Sequence, residues 1–167
     1  ESGKIRLTYN SDDSINIITT DDGTGIYTAS YSNGRISGLL YNEIYNVPIS
    51  YSNGVYTISG ETFIFNASHD LDVLDNYFKF KYSKGSGPFQ YVNMDESVKI
   101  SLIYISDLFE LSYLNSKELS TIEKLTGTSD YTITNTRGDN DMIVKSDFYY
   151  NASFDHTNEY TYSEVQN

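Results

Sequence analysis

From Lys4 to Tyr9 the chain reads KIRLTY, charged or polar residues alternating with apolar ones, and the same two-residue rhythm returns along most of its length. A period of two is that of a strand with one face buried. It predicts strands over 4–9, 14–20, 26–31, 35–40, 47–51, 55–58, 62–67 and 77–82, and in the tail over 131–134, 141–145, 147–154 and 159–165. In the strand at 77–82, Phe78, Phe80 and Tyr82 share one face, with Tyr77, Lys79 and Lys81 opposite.

Two stretches break the rhythm. Ser97 to Ile105 is nearly continuous in Val, Ile and Leu, the pattern expected of a strand covered on both faces. Beyond it, Asn115 or Ser116 can cap a helix in which Leu119, Ile122 and Leu125 share a face and which Gly127 closes. A further helical turn starting near Ser106 places a short helical insertion near residues 106–126.

Turn chemistry joins these elements. SYSNG occurs at 30–34 and again at 50–54, and each copy is trailed by Ile-Ser-Gly. Asn-Gly accepts positive φ at both central positions of a type I′ turn, so Asn33-Gly34 and Asn53-Gly54 each read as a hairpin tip. A tandem ligand-binding repeat with Tyr31 and Tyr51 as paired stacking platforms is the functional alternative, but no third copy is present to extend a repeat array. The expected fold is all-β: an antiparallel β-sandwich of immunoglobulin-like or jelly-roll type, one domain over 1–167, carrying the helical insertion. Residues 1–10 form a terminal strand that pairs in cis or with a neighbouring subunit, with Ile5, Leu7 and Tyr9 as the side chains a partner would accept.

Composition supports a sheet and narrows the job. The chain holds 17 Tyr and 8 Phe with no Trp, no Cys and only 2 Pro. Tyr in this excess must lie partly on surfaces, where its rigid ring and polar tip suit interfaces and sugar stacking. With 23 acidic and 11 basic residues the net charge is −12. That field repels phosphate backbones and anionic headgroups, which argues against nucleic-acid partners and against membrane attachment. No apolar run approaches a membrane span, and the absence of Cys excludes thiol catalysis and a disulfide framework. The first residue is Glu1, without Met or a leader pattern, as expected of a mature product or an excised ectodomain.

Candidate chemistry is sparse. The sequons Asn66-Ala67-Ser68 and Asn151-Ala152-Ser153 make Asn66 and Asn151 glycosylation candidates. Strand parity puts both asparagines toward solvent, with Phe63, Phe65, Phe148, Tyr150 and Phe154 in the core. Only oxygen ligands are abundant, so calcium is the metal this chain would suit, with Asp139 and Asp141 in one loop as candidate ligands, though no EF-hand spacing is present. Otherwise no cofactor is expected. Arg137-Gly138-Asp139 spells the tripeptide that integrins recognise and also reads as an ordinary turn. His69 and His156 each adjoin an Asp, but no nucleophile elbow, phosphate loop or dinucleotide fingerprint accompanies them.

The functional expectation is therefore a non-enzymatic extracellular or cell-surface protein of structural or adhesive type. A filament, pilus or surface-layer subunit would associate with itself or with other surface proteins. The alternative is a carbohydrate-binding module that uses exposed tyrosines to bind glycans, with or without structural calcium.

Overall fold

In the computed structural model, which describes residues 5–20, 23–90, 94–106 and 114–162, both Asn-Gly pairs are left-handed. Asn33 and Gly34 have φ of 53° and 76°, and Asn53 and Gly54 have 52° and 83°. Ser32 pairs with Arg35 across the first tip and Ser52 with Val55 across the second, so both are two-residue hairpins as their sequence requires.

The strands are β1 (Ile5–Tyr9), β2 (Ile15–Thr20), β3 (Ile26–Ser32), β4 (Arg35–Tyr41), β5 (Tyr45–Ser52), β6 (Val55–Ile58) and β7 (Glu61–Phe65). They continue with β8 (Leu71–Leu74), β9 (Phe78–Ser86), β10 (Lys117–Lys124), β11 (Asp130–Arg137), β12 (Ile143–Tyr150) and β13 (Ser153–Glu159), and one helix, α1 (Glu96–Ser106), lies between β9 and β10. The 13 strands form an antiparallel sheet in which spatial order equals sequence order. Short left-handed turns account for part of that order, while β9 and β10 are neighbours although α1 lies between them in sequence. Ser59-Gly60 joins β6 to β7, and Asn151-Ala152 joins β12 to β13, with positive φ at all four residues. A two-residue turn lets a strand pair only with its sequence neighbour, so the crossovers of the expected immunoglobulin-like or jelly-roll Greek key do not arise.

The chain divides into two compact units: the first runs to Phe63, inside β7, and takes in the α1 segment from Met94, and the second comprises the rest. In the first, β1 to β6 and α1 enclose a core that includes Ile18, Ile36, Leu39, Tyr56, Ile58 and Ile100. In the second, β8 to β13 bury Leu71, Phe80, Ile122, Ile143 and Phe148.

The helix stands where a strand was expected. Asp95 caps it: its carboxylate accepts the N–H of Ser97 at 2.8 Å and its carbonyl those of Val98 and Lys99 at 3.0 and 3.1 Å. Ser97, Lys99, Ile100, Ser101, Leu102, Ile103 and Ile105 are all buried, so the segment has no polar stripe to betray its period. Conversely, the stretch expected to be helical contains β10. Its ladder with β9 pairs Leu119 with Tyr82 and Thr121 with Lys81, leaving Ser120 as an extra residue. This bulge resets the alternation, so Leu119 and Ile122, three apart, are both buried on a strand. The helical turn expected just after Ser106 falls outside the described residues.

Candidate functional site

Strand β5 changes partner halfway along. It pairs with β4 from Tyr41↔Tyr45 to Gly38↔Pro48, and with β6 from Ile49↔Ile58 to Ser52↔Val55. Pro48 has no N–H to continue the β4 ladder, and beyond it the two strands part. Arg35, Ile36 and Ser37 at the start of β4 therefore have no β5 residue opposite them. α1 fills part of the loss, because the buried N–H of Ile36 donates to Ser97 Oγ at 2.9 Å.

A pocket of 390 Å³ lies in this split. That volume falls within the roughly 300–1,000 Å³ of small-molecule sites. Its β4 side is Arg35, Ile36 and Ser37, with Ser32 and Asn33 from the first Asn-Gly hairpin. Opposite stand Ile49, Ser50 and Tyr51 from β5 and Tyr56 from β6. The floor is apolar: Ile36, Ile49 and the ring of Tyr56 are all buried. The rim carries hydroxyls and an amide.

The aromatic wall is a stack of cation and rings. Tyr51 and Tyr56 are cross-strand partners with ring centroids 4.6 Å apart and planes tilted by 45°. The Arg35 guanidinium lies 4.4 Å from the Tyr51 centroid and 5.8 Å from that of Tyr56, close enough for cation–π attraction to both. Tyr51 lines the pocket and remains 50% exposed. Burial, followed by the neighbouring Glu96 carboxylate, raises the pKa of the Tyr56 hydroxyl and keeps it protonated. Among the described residues no carboxylate lines the pocket, and Arg35 is its one charged lining residue.

Apart from Tyr51, the residues singled out from sequence as candidate sites lie elsewhere. Asn151 is exposed at the β12–β13 tip, its Oδ1 accepting the Asp130 N–H at 3.3 Å. Asn66 is half-buried, its Oδ1 accepting the N–H groups of Ser68 at 2.8 Å and Asp70 at 3.2 Å. Phe63 and Phe148 are buried as expected and Phe65 is half-buried, but Tyr150 is 38% and Phe154 62% exposed. The alternation over 147–154 reads as one strand, whereas the chain reverses at Asn151-Ala152 and places Phe154 on the next strand, opposite Tyr149.

Asp139 and Asp141 are exposed in the loop after β11, and the Asp141 carboxylate lies 3.6 Å from Arg137. Among the described residues no group of three or more His, Asp or Glu side chains is arranged to hold a metal ion. Arg137 is engaged internally: it donates to Asp141 O at 2.5 Å, Ser86 O at 3.2 Å and Glu118 Oε2 at 3.1 Å, so the Arg-Gly-Asp run is structural turn material. His156 stacks on Phe148 at 4.4 Å beside Asp155. Ile5, Leu7 and Tyr9 belong to β1, which pairs in cis with β2 from Ile5↔Thr20 to Tyr9↔Ile15.

Sequence reasoning missed Arg35 and Ser97. The signal for Arg35 was present in the repeat itself, since the first SYSNG is followed by Arg35 and the second by Val55. The pairing of tyrosine platforms is not symmetric either. Tyr31 donates its hydroxyl to Ile15 O at 2.9 Å and does not line the pocket, whereas Tyr51 does.

Comparison with protein families and with curated proteins finds no match for this chain. Among solved structures it is similar to a porin-like protein from Bacteroides uniformis, with 12% identity and a TM-score of 0.25, over 93% of this chain and 56% of that one. No helix among the described residues is long and apolar enough to cross a membrane.

Proposed function

We propose that the protein is a non-enzymatic recognition domain of the cell surface or extracellular space that binds saccharide in the split between β4 and β5. The observation that carries this reading is the pocket wall, where a half-exposed Tyr51 ring stands beside the hydroxyls of Ser32, Ser37 and Ser50 and the amide of Asn33. A sugar ring needs both kinds of surface, an aromatic ring for its C–H face and short polar groups for its hydroxyls. The hairpin tips that carry these groups are held by backbone ladders, so the site is preformed. The Tyr-rich, acidic and cysteine-free composition supports a recognition role over nucleic-acid or phospholipid binding.

Screening on an immobilised glycan array tests the reading. Retention on one class of saccharide, lost in Tyr51→Ala with the melting temperature little changed, supports it. A folded protein that binds no glycan on the array contradicts it.

A filament or pilus subunit is the second reading, and what favours it is that β1 ends the strand order with β2 as its ladder partner and Tyr9 59% exposed. Another chain could pair along that outer edge. Sedimentation of the intact chain separates the two readings: concentration-dependent polymer supports assembly, and a monomer leaves recognition alone.

A further inference from the structure

We propose that the pocket's ligand is an acidic saccharide whose carboxylate is read by Arg35, an inference that rests on the saccharide reading above. Three observations lead to it. The chain carries 23 acidic against 11 basic residues, yet among the described residues the lining of this pocket holds Arg35 and no carboxylate. In a protein of net charge −12, a pocket whose charged lining residue among those described is a cation offers an anion a direct partner.

The second observation is how the Arg35 charge is held. The guanidinium lies over the Tyr51 and Tyr56 rings, and cation–π contact holds it without neutralising its charge as an ion pair would. Asp95 and Glu96, two acids whose charges act on this cluster, sit at the start of α1 and are not among the residues lining the pocket. Asp95 is committed to capping the helix, accepting the N–H and hydroxyl of Ser97. A stacked guanidinium keeps N–H donors at its edge, in the geometry that a carboxylate accepts two at a time.

The third is the mixture of neighbours. A free inorganic anion needs donors alone, whereas this cation shares the pocket lining with a half-exposed Tyr51, with Ser37 on its own strand and with Ser32 and Asn33 on the preceding strand end and turn. A ligand matching the whole set carries a carboxylate, a C–H face and hydroxyls on one ring, which describes uronic and sialic acids.

The test is titration calorimetry of the whole chain with two probe pairs: oligogalacturonate against its methyl ester, and sialyllactose against its methyl ester. The esters keep the rings and hydroxyls and remove the charge. At least one acid should bind roughly 10- to 100-fold tighter than its ester, the range for a charge-assisted contact. Arg35→Gln should abolish that preference, and Arg35→Lys should restore part of it, each with a melting curve as a folding check. Acid and ester binding alike would overturn the Arg35 assignment and leave the saccharide reading standing. Failure of every saccharide, charged or neutral, would overturn both. Binding of a short acidic peptide in preference to all four probes would also overturn the inference, because charge alone would then be what the pocket reads.

Discussion

Ser97 on α1 accepts the backbone N–H of Ile36 on β4 at 2.9 Å, and both residues are buried. This bond lets the sheet come apart at β4 and β5 without leaving an orphaned donor inside the first unit. Ser97→Ala removes the acceptor and keeps the volume small. We expect destabilisation by about 1–3 kcal/mol in denaturant titration, together with faster hydrogen exchange at the Ile36 amide. Unchanged exchange at Ile36 would mean that a different group satisfies it.

The turns make a paired prediction of opposite signs. Gly54 has φ of 83° with open space where a Cβ would stand, so Gly54→Ala suffers backbone strain alone, costing about 1–2 kcal/mol. Ala152 already bears that strain at φ of 65°, and Ala152→Gly should gain about 0.5–1 kcal/mol. Thermal melts of the two variants should move in opposite directions.

Glu118 makes the second unit acid-sensitive. Partial burial raises its pKa, but hydrogen bonds from Ser83 and Arg137 outweigh that, and it titrates below its ordinary value of 4.5. A carboxyl with a depressed folded pKa binds fewer protons folded than unfolded at acid pH, so its contribution is full above pH 4.5 and is lost as the pH falls through the folded value. Glu118→Gln should lower stability at pH 7 by about 1 kcal/mol and flatten the acid limb of the stability profile. A parallel, unflattened limb in the variant would assign the acid sensitivity to other carboxylates.

Much of this architecture is legible in the residues, and the failures have physical causes. Asn33-Gly34 and Asn53-Gly54 specify their turns because few other pairs accept two left-handed residues in succession. Asn151-Ala152 adopts a similar turn without the glycine that announces it, and missing it misplaced Phe154. The Ser97–Ile105 stretch is buried nearly all round, so strand and helix leave the same trace there, and the bulge at Ser120 gives Leu119 and Ile122 a helix-like spacing on a strand. The pocket itself was hidden because it depends on where β5 leaves β4. Pro48 hints at that point, but a lost ladder bond becomes a cavity only through the three-dimensional course of the strands.

Amide chemical-shift mapping under titration with an acidic oligosaccharide addresses the central claim most directly. Binding in the split predicts the largest shifts at 32–37 and 49–52, with smaller ones at Tyr56 and Ser97 and little change along β11 to β13. Shifts absent at saturating saccharide, or concentrated away from Arg35 and Tyr51, would contradict the account.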